Sequence, residues 1–230
     1  MKVVSSGGIR PPLEELAPQF ERSSGHKVAL TFVVGSLVKK EAERDAFDVV
    51  IGPAAGVDEL VKAGKISAAT RADVARAGVG VGVRAGAPKP DVRSIDAFKR
   101  ALLDAKAVAY NKEGTAGSHF FRVLERLGIS KEMQPKLKAA VGTDITQGQL
   151  AMVRKGEADI VVAAVATLFS PGIDFVGPIP AELQSYTQFA AGVTPGSREP
   201  QAAAAWVRFI TAPGAASAFK AKGMEPAPQR

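Results

Sequence analysis

The stretch Val3-Val4-Ser5-Ser6-Gly7-Gly8 takes the chain from a short apolar strand, through a turn of small hydroxyl-bearing residues, into a helix. The same order recurs at Phe32-Val33-Val34-Gly35-Ser36-Leu37, and again from Tyr110 to Gly114-Thr115-Ala116-Gly117-Ser118. A helix N-terminus presents unpaired backbone N–H groups and the positive end of the helix dipole, and glycine lets a ligand approach the backbone closely. The three turns therefore predict a protein that binds an anion through backbone N–H groups and hydroxyls.

Strands and helices alternate along the rest of the chain, which predicts an α/β fold with largely parallel sheets. Helices are expected to end at Gly64, Gly128 and Gly156, because glycine accepts the left-handed backbone that closes a helix. In open α/β sheets ligands bind beyond the carboxyl ends of the strands. All three turns follow such ends, so we expect them to contribute to one ligand site.

Composition excludes several classes of function. The 230 residues contain no cysteine and two widely separated histidines, so neither a thiolate nucleophile nor a histidine-based metal site is expected. The net charge is +7, but basic residues alternate with acidic ones and aromatic residues make up only 6% of the chain. This pattern indicates a basic surface that attracts small anions rather than a nucleic-acid partner.

The chain has no segment approaching the roughly 18 consecutive apolar residues of a membrane-spanning helix, so we expect no direct membrane insertion. No signal peptide is recognisable after Met1. We therefore expect a periplasmic protein if a signal peptide has been removed, and a cytoplasmic location stays open because none is present in the chain.

Motifs of catalysis are missing from the sequence. It contains no G-x-S-x-G nucleophile elbow, no G-x-x-x-x-G-K-[ST] phosphate loop and no cluster of residues at metal-ligand spacing. We therefore predict a binding protein that is not an enzyme, with no catalytic residue, no metal and no cofactor.

The order of short motifs along nearly the whole chain resembles that of type 2 periplasmic solute-binding proteins, and most of all their molybdate- and tungstate-binding branch. Each motif is weak alone, but their collinear order is specific. The resemblance lies in the first helix from Leu13 to Arg22 with the turn Ser23-Ser24-Gly25-His26-Lys27-Val28, in Gly35-Ser36, in Phe47-Asp48-Val49-Val50-Ile51, in Gly156-Glu157-Ala158-Asp159, in the closing segment from Trp206 to Ala216 and in Gly223-Met224-Glu225-Pro226.

The resemblance implies a type 2 periplasmic-binding-protein fold, in which two α/β lobes are joined by two crossover segments around a ligand cleft. One lobe is expected from residues 1–82 and 186–230, and the other from residues 83–185. Matched by position, the family's oxyanion ligands correspond to Ser5 or Ser6, Ser36, Ala116 and Ile145. Together with their neighbours in the turns, the expected ligand-binding residues are Ser5, Ser6, Gly7, Arg10, Gly35, Ser36, Thr115, Ala116, Gly117, Ile145 and Ala164.

Two positions depart from the molybdate branch. Ala164 stands where those proteins have a tyrosine, and Leu37 replaces a serine of their G-S-S-G turn, so two polar donors are missing. Alanine at position 164 leaves space that suits a larger anion, such as a small organic carboxylate. Arg10, near the first turn, suits the same ligand because arginine binds carboxylates in a bidentate manner.

We therefore predict a solute-binding protein that captures a small anion, a molybdate-like oxyanion or a small organic carboxylate, between two lobes and delivers it to an ABC transporter. The expected partners are this ligand and the transporter's membrane subunits, and the protein is expected to be a monomer. The alternative is a free-standing cytoplasmic ligand-sensing domain related to the effector domains of transcription regulators. Helix capping alone explains any single turn, and Asp144 is interpreted as a helix cap or a residue at the rim of the site.

Overall fold

The protein consists of two α/β units, each built on its own sheet. The computed structural model describes residues 1–140 and 145–228, without the side chain of Ile145, so the predicted cap Asp144 lies outside the described residues. The first unit comprises Met1–Ala77 and Thr187–Arg230, and the second comprises Gly78–Tyr186. This is the two-lobe α/β fold that the sequence predicts.

The strands are short and mostly buried. They are β1 (Lys2–Ser6), β2 (Ala29–Val33), β3 (Val49–Pro53), β4 (Ala72–Ala77), β5 (Val79–Arg84), β6 (Val108–Tyr110), β7 (Leu137–Ala139), β8 (Ile160–Ala164), β9 (Ile173–Pro178), β10 (Thr187–Val193) and β11 (Glu225–Pro226).

The helices cover the faces of the two sheets. They are α1 (Arg10–Ser24), α2 (Val38–Arg44), α3 (Ala54–Lys62), α4 (Ile95–Asp104), α5 (Thr115–Arg126), α6 (Ser130–Met133), α7 (Ile145–Arg154), α8 (Pro200–Thr211) and α9 (Ala216–Ala221). Short 3-10 turns precede α1 and α2, at Gly7–Ile9 and Gly35–Leu37. In the described residues no helix is both long and apolar enough to cross a membrane.

The first sheet has the strand order β11-β4-β10-β3-β1-β2. Strands β2, β1 and β3 are parallel, whereas β10 is antiparallel to β3 and β4. The chain returns to this unit through β10. This strand begins at the edge of the sheet where β3 ends. The prediction of largely parallel sheets is therefore wrong, and both sheets are mixed.

The second sheet has the order β7-β6-β8-β5-β9. Strands β7, β6 and β8 are parallel, and β5 is antiparallel to β8 and to β9. Residues 78–82 and Tyr186, expected in the first lobe, belong to the second unit. Residues 79–84 form β5 and hydrogen-bond within the second sheet. The strand belongs to the second unit because both of its neighbours, β8 and β9, lie there.

The apolar helix faces are buried as their spacing predicts. On α1, Leu13, Leu16 and Phe20 are buried, and the Phe20 ring contacts Trp206 of α8 edge to face with ring centroids 5.2 Å apart. The three predicted helix-ending glycines, Gly64, Gly128 and Gly156, all have positive φ angles, as that role requires.

Glycine is sterically required at Gly117 in the first turn of α5. A Cβ built at this position would lie 1.8 Å from the carbonyl oxygen of Asn111. The oxygen belongs to the backbone, so it cannot move aside as the end of a flexible side chain could. The close approach fixes α5 against the residue that follows β6.

We predict that Gly117→Ala destabilises the protein by about 1–3 kcal/mol or more, because the added methyl group forces the backbone apart. The matched control is Gly56→Ala in α3, where an added Cβ meets nothing within 4 Å and alanine is the better helix former. Urea denaturation monitored by circular dichroism measures both. Equal midpoints for the two variants would contradict the predicted packing.

Asp48 joins three segments of the first unit. Its Oδ2 accepts a hydrogen bond from the backbone N–H of Lys2 at 2.7 Å. Its Oδ1 accepts from the Ser197 hydroxyl at 2.7 Å and from the N–H of Arg198 at 2.9 Å. Burial alone would raise the pKa of Asp48, but these hydrogen bonds together hold the pKa below its ordinary value of 3.8. The ionised carboxylate therefore stabilises the fold.

Asp48→Asn should lose about 1–3 kcal/mol of unfolding free energy at neutral pH, since the amide cannot accept all three bonds. The folded-state pKa is lowered, so the stabilisation by Asp48 is complete above pH 3.8 and disappears as the pH falls through the lower folded-state value. Urea titrations across this range should show the two proteins converging in acid. The control is Asp45→Asn, whose half-exposed side chain should give a small difference. A deficit of Asp48→Asn that stays constant into acid would contradict the assignment.

Candidate functional site

In the first unit, two strand-to-helix turns meet at the hydroxyl of Ser6. Ser6 is the last residue of β1 and caps the following 3-10 turn, with its Oγ accepting a hydrogen bond from the N–H of Gly8 at 3.3 Å. A Cβ built at Gly35, in the turn after β2, would lie 3.1 Å from the same Oγ. Because Gly35 has no side chain, the Ser6 hydroxyl and the backbone of the second turn share one small space.

The other predicted residues of the first unit surround this point. Ser5 is fully buried and donates its hydroxyl to the carbonyl of Ser6 at 3.3 Å, and Gly7 is buried beside it. Ser36 is exposed in the second turn, next to the half-exposed Leu37. Ser36 lies within the 3-10 turn Gly35–Leu37, and α2 begins after it at Val38.

Arg10 contributes a positive charge at this edge of the first sheet. Its guanidinium carbon lies 4.4 Å from the centroid of the Phe32 ring, and Phe32 is the register partner of Ser5 on the neighbouring strand. Its Nε is 3.6 Å from a carboxylate oxygen of Glu14, and about 15% of the side chain is exposed. The contact of the guanidinium with the Phe32 ring places a positive charge near the end of β2.

In the second unit, Asn111 organises the start of α5. The residue is buried directly after β6, and its Oδ1 accepts hydrogen bonds from the N–H groups of Glu113 and Gly114, both at 3.0 Å. Because both partners are donors, the carboxamide atom that contacts them is the oxygen. A Cβ at Gly114 would lie 3.1 Å from Nδ2, so glycine here leaves the amide donor of Asn111 uncovered.

The predicted residues of the second unit lie at the carboxyl edge of its sheet. Thr115, Ala116 and Gly117 form the first turn of α5, and Ile145 begins α7. Ala164 ends β8, pairs with Val79 and accepts a hydrogen bond from the Thr167 hydroxyl at 2.8 Å through its carbonyl. The structure thus places the predicted residues in two groups, one in each unit.

Sequence reasoning missed three polar residues at the second edge. Asn111 belongs to a turn signal that was interpreted for its glycines alone. Thr146 and Gln149 are buried on the inner face of α7, where the sequence shows only polar residues near a helix start. The sequence did contain one signal for these two residues. They are three positions apart and continue the helix face formed by the buried Leu150 and Val153.

Apart from Arg10, both groups consist of neutral donors. Hydroxyls, backbone N–H groups and carboxamides bind anions without titrating near neutral pH. Tyr110 lies next to Asn111, and burial raises the pKa of its phenol, which therefore stays protonated. Within residues 1–140 and 145–228, no group of three or more His, Asp and Glu is placed to hold a metal ion.

Comparison with known families gives one match along almost the whole chain. The family description "Bacterial extracellular solute-binding protein" matches residues 1–225. A curated relative named "Aconitate isomerase", from Pseudomonas sp, is 30% identical over 236 residues, which cover 99% of this chain and 88% of the relative.

Solved structures share the fold at lower identity. The periplasmic molybdate-binding protein of Azotobacter vinelandii superposes with a TM-score of 0.82 at 21% identity, covering 100% of both chains. The sulfate-binding protein SubI of Mycobacterium tuberculosis H37Rv gives a TM-score of 0.74 at 17% identity, covering 99% of this chain and 86% of its own. At these identities the likeness concerns the fold.

We predict that Asn111→Ala costs about 0.5–1.5 kcal/mol of unfolding free energy, because the N–H groups of Glu113 and Gly114, in the turn before α5, lose their acceptor. The adjacent Lys112→Ala is the control, since Lys112 is exposed and contributes no cap. Thermal and urea unfolding measure both variants. An Asn111→Ala protein as stable as Lys112→Ala would show that the carboxamide does not hold this turn.

Proposed function

Because this chain belongs to the bacterial extracellular solute-binding proteins, with the type 2 fold of their molybdate-binding branch, we propose that it captures a small organic carboxylate and delivers it to an ABC transporter. The observation that carries the proposal is the meeting of two glycine-containing turns at the Ser6 hydroxyl. Such a point offers several neutral donors to one oxyanion group, and the turns of the second unit offer a similar set.

Four observations favour an organic carboxylate over molybdate. Ala164 offers no phenol at the end of β8, and Leu37 offers no hydroxyl in the second turn. A dianion buried with fewer donors is held less tightly, because a buried charge needs nearly complete hydrogen bonding. The guanidinium of Arg10, held over Phe32, adds a group that suits a carboxylate. The curated relative is named for aconitate, which is a tricarboxylic acid.

Isomerisation of such an acid is the second candidate function, because the relative that is 30% identical is named an isomerase. Moving a double bond requires a group that removes a proton from carbon and returns it. The proposed ligand residues are hydroxyls, amides, backbone N–H groups and Arg10, which are poor bases at neutral pH. This composition favours binding without turnover.

The family's setting supplies the rest of the proposal. We place the protein outside the cytoplasmic membrane, in the periplasm, where it works as a monomer that docks on the membrane subunits of an ABC transporter. The proposed ligand contacts are those of Ser5, Ser6, Gly7, Arg10, Gly35 and Ser36 in the first unit, and of Thr115, Ala116, Gly117, Ile145 and Ala164 in the second.

Calorimetric titration with organic di- and tricarboxylates, molybdate, tungstate, sulfate and phosphate tests the proposal. We expect an organic carboxylate to bind at least about tenfold more tightly than molybdate. Ser36→Ala should weaken that binding about ten- to a hundredfold, since a lost hydrogen bond to a charged group costs about 1.5–3 kcal/mol. The control is Ser23→Ala, on the exposed C-terminal turn of α1, which should bind as the wild type does.

Two results would contradict the proposal. Selective, tight binding of molybdate would show that other donors replace the missing phenol. Interconversion of cis- and trans-aconitate by the purified protein, followed by proton NMR, would establish the isomerase instead.

A further inference from the structure

Gln149 has a buried side-chain oxygen, Oε1, that accepts no hydrogen bond from the described residues. About 3% of the residue is exposed. An unsatisfied amide oxygen is costly to bury, and most buried polar side chains in proteins are satisfied. A ligand that donates a hydrogen bond to Oε1 would remove this cost.

The position of Gln149 on α7 is set by the helical repeat. Thr146, Gln149, Leu150 and Val153 are all buried and follow the spacing of one helix face. The apolar pair of this face packs against Ala109 of β6. Gln149 and Thr146 therefore form the half of the inner face that lies towards the helix N-terminus.

That half of α7 lies at the carboxyl edge of the second sheet. The helix connects β7 to β8, which both run parallel to β6, so α7 must run back across the sheet in the opposite direction. Its N-terminal half is therefore close to the strand ends, where Asn111 follows β6 and Ala164 ends β8. Gln149 thus belongs to the same edge as the proposed ligand contacts of this unit.

We propose that Gln149 determines ligand specificity by accepting a hydrogen bond from an O–H group of a bound organic acid. The inference rests on the function proposed above and deepens it. An ionised tetrahedral oxyanion such as sulfate or molybdate carries no hydrogen to donate, so it leaves Oε1 unsatisfied. A hydroxycarboxylic acid satisfies Oε1 with its hydroxyl while its carboxylates meet the neutral donors of the turns.

Gln149→Leu separates this role from a structural one. Leucine fills a similar volume and replaces an unsatisfied amide by an apolar group, so the ligand-free protein should unfold at the same temperature as the wild type or a higher one. Gln149→Met is the second variant, because methionine adapts to irregular space if leucine disturbs the packing. The matched control is Gln147→Leu on the same helix, where the glutamine oxygen lies 3.4 Å from a guanidinium nitrogen of Arg154.

Calorimetric titration with two matched pairs of acids measures the role directly. Citrate and tricarballylate differ only in a hydroxyl group, as do malate and succinate. We expect the wild type and Gln147→Leu to bind the hydroxy acid of at least one pair about tenfold more tightly, the value of one hydrogen bond. Gln149→Leu and Gln149→Met should abolish that preference and leave the affinity for sulfate unchanged.

Each remaining outcome would contradict either this inference or the proposed function. A preference for the hydroxy acid that survives both Gln149 variants overturns the inference, as does a wild type that binds the acids without a hydroxyl equally well or better. Binding of inorganic oxyanions with no binding of the four acids also overturns it. A wild type that binds none of the anions overturns the proposed function itself.

Discussion

The carboxyl ends of parallel strands meet at one edge of a sheet, and the rest of this structure depends on that constraint. In the first unit β1, β2 and β3 end together, and in the second β6, β7 and β8 do. Five of these strands, β1, β2, β3, β6 and β7, are each followed by a helix, so the helix N-termini collect at the same edge. Glycine and serine are needed there because the turns are tight and crowded, as at Gly117 and Gly35.

Neutral donors at these edges give the proposed site its selectivity. A site made of N–H groups, hydroxyls and carboxamides distinguishes ligands by shape and by the number of hydrogen bonds, because it cannot adjust its charge. Arg10 adds a fixed cation in the first unit, and Gln149 adds an acceptor in the second. The proposed organic acid presents groups that match each of them, since its carboxylates accept hydrogen bonds and its hydroxyl donates one.

Much of the fold could be predicted because local signals determine it. Apolar periodicity predicted α1 and α5, and the helix-ending glycines Gly64, Gly128 and Gly156 have the predicted positive φ angles. Strand direction could not be predicted, because the alternation of side chains is the same in parallel and antiparallel strands. The antiparallel pairing of β5 and β10 therefore departs from the expectation of largely parallel sheets. Strand β4 was missed because Ala-Asp-Val-Ala-Arg-Ala has few β-branched residues.

The candidate site could be predicted only where glycine and serine mark turns. Asn111 and Gln149 were not predicted as site residues because their importance depends on burial. A sequence cannot show which of two nearby glutamines faces the sheet. In the structure Gln149 is buried, whereas Gln147 is partly exposed. The choice is decided by the helical position of each residue relative to Leu150 and Val153, which anchor α7.

The central claim is the proposed binding of a small organic acid by the backbone N–H groups of the strand-to-helix turns. Hydrogen–deuterium exchange followed by mass spectrometry, with and without a saturating acid, tests it most directly because exchange reports on backbone N–H groups. The account predicts slower exchange at residues 7–9 and 35–37 of the first unit and at residues 114–117 of the second. Protection confined to one unit, or located away from these turns, would contradict it.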